Sequence, residues 1–292
     1  RLFPQIGSLE LPLVLFIFGL TSTCYDYFIR YRTSPLAAHW FESGPVQLAG
    51  RINSLRRTGW DGARMQHGER DAIQVLVDGQ LWNTWEALPF LVPSSSVNYL
   101  PLDHSGTMSP GRAFVVWPYR DWEADVLPYL PHPAYLQVER GPEAQGDRDP
   151  TPYSIATIII AEVRPDVPPA VATFEGGIVL RAALVTSAPA GTSVALWWDA
   201  TDQITDDYTV YVHYLRDGVR IAQHDGQPGF GHLRTTLWQS GDLIRDIHPI
   251  GSLDPDPSSD ALRVGLYEAN TGTTVGLANS GDQPATDGAL LP

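Results

Sequence analysis

The chain has 292 residues, enough for two domains of ordinary size. Its 33 acidic side chains against 19 basic ones, every one of them Arg, give a formal charge of −14, which repels a polyanion and excludes a nucleic-acid binder. The single Cys excludes an intrachain disulfide and a Cys-based zinc site, while 25 Pro and 26 Gly with few long helical periodicities favour short strands and many turns.

The first element is an apolar run over residues 9–24, LELPLVLFIFGLTSTC, which stops at the aromatic and charged stretch YDYFIRYR. A bilayer core offers the backbone no hydrogen-bond partner, so a spanning segment is a helix of about 20 apolar residues. Residues 6–28 have that length. Leu13, Leu15, Phe16, Phe18 and Leu20 then form the anchor, Tyr25, Tyr27 and Phe28 an interfacial aromatic belt, and Arg30 and Arg32 reach the headgroups. A buried core helix and a secretory or lipoprotein signal are the alternatives. A signal normally starts at a Met with a charged n-region and ends in small residues, and here the chain opens at Arg1, so a membrane helix is expected; Cys24 after Leu20-Thr21-Ser22-Thr23 resembles a lipidation site only loosely and reads as a small hydrophobe.

Beyond the anchor, Ser34-Pro35 breaks the helix, and residues 36–55 offer a helical segment interrupted at Gly44-Pro45. Residues 56–70 read as a loop. Strands are expected at 72–77, 114–117, 135–138 and 154–163, and helices at 80–88 and 119–127. This alternation predicts a small α/β unit with a partly parallel sheet.

Residues 164–172, RPDVPPAVA, are Pro-rich and predict a stiff linker. After them the period changes to two. Strands are expected at 178–184, 194–198, 208–215, 219–223 and 261–267, with Asp217-Gly218 as a hairpin turn and a second turn at Asn270-Thr271-Gly272. The tail from residue 279 is polar and predicts a frayed end. The fold class is therefore α+β and multidomain: a transmembrane helix and exit motif over 1–33, a small α/β domain over 34–163, the linker, and an antiparallel β-sandwich over 173–292, Ig-like or carbohydrate-binding-like.

Read together, the anchor, its exit Asp26-Tyr27-Phe28-Ile29-Arg30-Tyr31 and the α/β segment resemble the C-terminal region of a bacterial multi-pass membrane glycosyltransferase, of the protein-mannosyltransferase and aminoarabinose-transferase kind. The last block resembles a β-sandwich of Chloroflexi-type proteins of that sort. Its matching stretches are DYTVYVHYL at 207–215, Asp217-Gly218, AQHDG at 222–226, TTLWQSGDLIRD at 235–246 and LRVGLY at 262–267. The resemblance implies that the bulk of the chain lies outside the cytoplasm. Arginines alone leave the orientation ambiguous, because Arg30 and Arg32 are on the soluble side and Arg1 on the other. It also implies a catalytic acid in a first extracytoplasmic loop that these residues do not include, so no catalytic residue carries over.

Chemistry-bearing patterns are few. Asp206-Asp207 and the group Asp254, Asp256 and Asp260 read as solvated turns rather than paired acids or a calcium loop. His213, His224, His232 and His248 fall in one sandwich, where two could meet across a hairpin, but their spacing matches no metal motif and they read as scattered strand or surface histidines. Asp103, His104 and Ser105 are adjacent in sequence only, which is poor evidence for a triad. No catalytic residue, metal or cofactor is expected. Aromatics carry the one hint with a mechanism, because sugar C–H faces stack on Trp and Tyr while polar neighbours hold the hydroxyls. Trp197, Tyr211, His213 and Trp238 are the candidate glycan or partner contacts. Trp197 and Trp198 must face opposite ways, and Tyr211 and His213 share a face with Thr209, opposite Val210, Val212 and Tyr214.

Two functions follow. In one, the chain is the membrane-anchored extracytoplasmic region of a glycosyltransferase-like protein, non-catalytic by itself, that positions acceptor or glycan. In the other, it is a single-pass accessory subunit docking to other membrane-complex subunits through its helix and sandwich. Both place it at a bacterial cell membrane.

Overall fold

The computed structural model describes residues 10–31, 34–68, 73–93, 98–100, 113–117, 130, 132–146, 148–254, 256, 258–278 and 288–291. The apolar run forms helix α1 (Glu10–Tyr25) and continues as a π-helical turn, Asp26–Tyr31. Over Leu11–Arg30, a 20-residue stretch, 0% is buried, and this is the one helix among the described residues long and apolar enough to cross a membrane. Leu13, Leu15, Phe16, Phe18 and Leu20 are 54–71% exposed, which removes the core-helix alternative. Tyr25, Tyr27 and Phe28 are equally bare.

Pro35 opens α2 (Pro35–Trp40) at a position where its missing N–H is no loss. The helix breaks at Phe41 and Glu42, the latter with φ 49°, before α3 (Ser43–Arg56) begins. Gly44 and Pro45 therefore lie in the first turn of α3, where Pro is tolerated, rather than interrupting it. The stretch expected as a loop holds a hairpin of β1 (Thr58–Trp60) and β2 (Met65–His67). Asp61 closes it by accepting the Ala63 and Arg64 N–H groups at 2.9 and 2.8 Å. Three-residue polar strands leave no alternation to read.

β3 (Ile73–Asp78) runs into α4 (Gly79–Thr84), whose first N–H groups at Gln80 and Leu81 are accepted by the Asp78 carboxylate. The helix expected at 80–88 is two, α4 and α5 (Ala87–Leu91), parted at Trp85 and Glu86. Pro89 explains the break, since it has no N–H to give to the carbonyl of Trp85 and sits instead in the first turn of α5. β4 (Asn98–Leu100), β5 (Ala113–Trp117), β6 (Ala134–Arg140), β7 (Glu143–Ala144), β8 (Tyr153–Ser154) and β9 (Thr157–Val163) complete this half. The helix expected at 119–127, and residues 103–105, lie outside the described residues.

The C-terminal half contributes β10 (Ala172–Phe174), β11 (Ile178–Ala188), β12 (Gly191–Ala200), β13 (Tyr208–Arg216), β14 (Val219–Gly226), β15 (Leu243–Gly251), β16 (Asp260–Glu268) and β17 (Ala289–Leu291). Asp217 and Gly218 have φ of 51° and 77°, as a two-residue turn between β13 and β14 requires. The expectation of a frayed tail is corrected at its end: Ala289 and Leu291 are buried in β17, paired with Val264 and Leu262. Three residues are too few for a period to show.

These strands form a nine-stranded sheet, order β10-β11-β12-β15-β6-β9-β5-β3-β4, and a four-stranded sheet, order β14-β13-β16-β17. The large sheet is mixed. β3 is parallel to β4 and β5, and β15 is parallel to β6 through Leu243↔Tyr135, Ile244↔Leu136 and Arg245↔Gln137. Strands from either side of the Pro-rich stretch therefore share one sheet. Its first residue is held, not loose: the Arg164 guanidinium donates to both Asp199 carboxylate oxygens, at 2.9 and 3.1 Å, and Arg181 Nε donates to the same carboxylate at 2.8 Å.

One core lies between the two sheets, with Leu180, Leu196 and Trp198 facing Val210, Val212, Val264 and Leu266. Another lies under the helices, where Leu48 and Ile52 of α3 and Leu81 of α4 meet Val75 and Val77. β9 belongs to both: Ile159 and Ala161 enter the first core, Ile158 and Ile160 the second. A strand buried on both faces has no polar alternation, which is why TIIIA reads as an unbroken apolar run.

Candidate functional site

The outer face of the four-stranded sheet is built in rows across three strands. Asp225, Tyr211 and Gly265 are neighbours on β14, β13 and β16, with His213 beside Arg263 and Thr209 beside Tyr267 in the flanking rows. A Cβ on Gly265 would overlap the Tyr211 ring, so glycine lets that ring lie flat across the neighbouring strand. Tyr211 is consequently only 5% exposed although it points away from the core. Tyr267 stacks on it, centroids 6.4 Å apart at 29°, and the His213 ring lies 4.9 Å away on the other side.

These side chains line a recess of about 360 Å³ together with Asp225, Arg263, Gly272 and Thr274. The Tyr267 hydroxyl donates to Asp225 at 3.4 Å, and burial pushes its pKa up, so the phenol stays neutral. Burial and the neighbouring Arg220 hold the His213 pKa down, which keeps its ring uncharged near neutrality. The floor thus presents neutral aromatic surface. Its rim carries one carboxylate and one guanidinium, an acceptor and a donor for hydroxyl groups.

The four sequence candidates separate. Tyr211 and His213 meet in this recess. Trp197 lies half-buried on β12 of the other sheet, with the Arg245 guanidinium 5.7 Å from its ring. Trp198, its neighbour, is 0% exposed, as strand alternation demands. Trp238 requires a correction: it is a core residue, 1% exposed, with its indole N–H given to the Leu233 carbonyl at 2.8 Å, and it offers no surface for a ligand. Asp225, Arg263 and Tyr267 were not singled out from the sequence; the signal was there as the outward alternation of β16 beside that of β13.

The histidines are not all scattered. His224 and His248 meet between the sheets, Nδ1 to Nδ1 at 2.9 Å, and His248 reaches Asp246 at 2.7 Å. His132 contacts Asp242, a fully buried carboxylate that also accepts the Ala134 and Gln239 N–H groups and so ties three segments together. Asp260 is likewise structural, accepting from Arg216 and Tyr214, and Asp256 closes a turn through Ser258 and Ser259. Among the described residues no group of three or more His, Cys, Asp or Glu side chains is placed to hold a metal.

Near the anchor exit, Trp40, Phe41 and Phe90 are 69%, 67% and 87% exposed and border a shallow cleft with Glu42, Glu86, Ala87 and Pro89. Three bare aromatics in one place are an unusual surface for a water-facing module.

No protein-family model matches the chain, and no curated protein matches it. Among solved structures it is similar to one titled endonuclease/exonuclease/phosphatase from Beutenbergia cavernae DSM 12333, at 16% identity and a TM-score of 0.22, over 48% of this chain and 33% of that one. The chain thus spans about a third of that protein's length, and a likeness of this size carries no argument about fold or activity.

Proposed function

We propose that the chain is the membrane-anchored, extracytoplasmic region of a glycosyltransferase-like protein and that its C-terminal β-sandwich holds a glycan close to the bilayer, the chemistry being performed by residues outside it. The observation that carries this reading is the Tyr211–Tyr267 pair with His213, flanked by Asp225 and Arg263 in one open recess. A pyranose ring stacks its C–H face on such a floor and gives its hydroxyls to the charged rim. Among the described residues, the lining holds no nucleophile paired with a base. Asp225 stands without a second carboxylate in the lining, so the paired acids of glycoside hydrolysis are missing there.

The membrane half of the reading is supported by α1, apolar on every side and uncovered, and by the exposed Trp40, Phe41 and Phe90 shortly after it. Aromatic rings favour the interfacial zone of a bilayer, where their apolar bodies leave water without entering the hydrocarbon fully. The side of the module that carries α2 and α5 would then lie against the headgroups.

The test is a glycan array probed with the full chain in nanodiscs. The expected result is binding to a restricted set of sugars that Tyr267→Ala and Arg263→Ala each weaken about tenfold or more, the loss of one stacking or charge-assisted contact. An array that is blank, or unchanged in both variants, contradicts the glycan reading and leaves the sandwich as a docking module for other subunits.

A further inference from the structure

On the opposite side of β14 from the aromatic recess, His224 points between the sheets and ends a chain of three groups. Asp246 and His248 are each 1% exposed, with His248 Nε2 2.7 Å from Asp246 Oδ2 and His224 Nδ1 2.9 Å from His248 Nδ1. A carboxylate only accepts, so His248 Nε2 carries a hydrogen. The facing Nδ1 atoms then share one proton; in the neutral chain it belongs to His224, and His224 Nε2 is left with a free lone pair. The other oxygen of Asp246 accepts the Gly229 N–H at 3.0 Å, which holds the aspartate at the base of the chain.

His224 and His248 line a second recess, of about 310 Å³, with Arg140, Asp225, Gln227, Phe230 and Asp246. Phe230 takes a left-handed backbone, φ 59°, uncommon for a bulky residue, and its ring supports the Arg140 guanidinium 4.5 Å from the centroid. Arg140 is exposed and makes no ion pair among the described residues. A guanidinium with no ion pair among the described residues therefore stands in a recess that also holds the Asp225 carboxylate and whose histidine is connected to the buried Asp246.

We propose that this recess binds a small oxyanion, a carboxylate or phosphate-like group, between Arg140 and His224, and that His224 takes one proton from solvent at Nε2 as the anion binds. No bond in the ligand forms or breaks. The added charge spreads toward Asp246, because the Nδ1 proton can move to His248, which faces that carboxylate. The charged and titratable groups facing His224 are His248 and Asp246 from β15, Asp225 on its own strand and Arg140 from β6. Burial and His248 together keep the empty site's imidazole below its ordinary 6.5, so a bound anion raises it. By linkage the anion binds more tightly as pH falls, with a limiting slope of about tenfold per pH unit above the His224 midpoint.

The inference shares only Asp225 with the glycan recess and does not depend on the glycan reading. It is tested by calorimetric titration of the full chain in nonionic detergent with sulfate, whose charge is constant over the range, and separately with acetate, each in buffers of different ionisation enthalpy. The expected result is binding of at least one of the two with uptake of about one proton. Arg140→Gln should weaken it about tenfold or more at every pH. His224→Gln should abolish both the proton uptake and the pH dependence. Sulfate preferred over acetate identifies a tetrahedral, phosphate-like ligand, and the reverse a carboxylate. Absence of heat with both anions, or binding that Arg140→Gln leaves intact, overturns the proposal. Should His224→Gln fail to fold, the proton count of the unaltered chain and Arg140→Gln decide it.

Discussion

The recess on β13 and β16 depends on an absent side chain. Gly265→Ala would drive a methyl into the Tyr211 ring, which must then leave the floor or strain the strand; overpacking of this kind costs about 1–3 kcal/mol and should empty the platform on which Tyr267 stacks. Urea denaturation checks the first effect and the glycan array the second. Trp238→Ala belongs to a different class. It removes a buried indole and should lower stability by about 3–5 kcal/mol in the same assay, whereas Trp197→Ala, at a half-buried surface position, should cost far less. Sequence alone does not separate these two tryptophans, since both stand among polar or alternating neighbours; burial is decided by which turn returns the chain to the core. Carboxylates add a pH dependence. Arg216, with help from the Asp256 N–H and the Tyr214 hydroxyl, holds Asp260 well below the usual carboxylate range, and hydrogen bonds from the 61–66 turn hold Asp61 to about 2. Both pKa values are depressed on folding, so their stabilisation is present above the unfolded value near 4 and is lost as pH falls below it. Acid titration followed by circular dichroism should show that loss, and Asp260→Asn should flatten it.

Elements that follow a clean period were readable, and those that violate it for a chemical reason were not. β13 alternates, and its faces come out of the sequence directly, while β16 was legible as a strand over 261–267 without its faces being assigned. β15 was missed because its inward positions include Asp246 and His248; an inward-pointing carboxylate is tolerated only because the histidine and the Gly229 N–H satisfy it, information that lies in other segments. The single helix expected at 80–88 failed on Pro89, and the hairpin at 58–67 on its brevity. At the same scale, the short helices α2 and α5 bring Trp40, Phe41 and Phe90 to one surface. Cys24 is the only Cys in the chain, so a Cys24→Ala background accepts a spin label at a chosen site. Full-length protein in nanodiscs labelled at Phe90→Cys should be accessible to oxygen and shielded from a polar nickel complex, while a label at the exposed Val219 should show the reverse. A label at Phe18→Cys separates the two claims: lipid exposure there with an aqueous Phe90 would retain the anchor and reject the apposition.

At the level of the whole molecule, the transition from a stiff linker to a continuous sheet changes what the chain can do. β15 pairs with β6 across the Pro-rich stretch, and β9 supplies both cores, so the two halves share backbone hydrogen bonds as well as apolar surface. Such parallel pairing between distant segments has no local sequence signature, which is why a division at 164–172 looked natural. The buried carboxylate of Asp199, held by Arg164 and Arg181, fastens the same joint. Asp199→Asn leaves two guanidinium groups uncompensated and should cost about 3 kcal/mol, read as one cooperative urea transition shifted as a unit rather than two that separate. The claim on which the functional reading depends is that α1 holds this two-sheet body on the outer side of a bilayer. Paired C-terminal fusions test it most directly: alkaline phosphatase, active only outside the cytoplasm, and a fluorescent protein that matures only inside. The expected outcome is phosphatase activity in the membrane fraction with a dark fluorescent fusion; bright fluorescence, or either fusion recovered free of membranes, would contradict it.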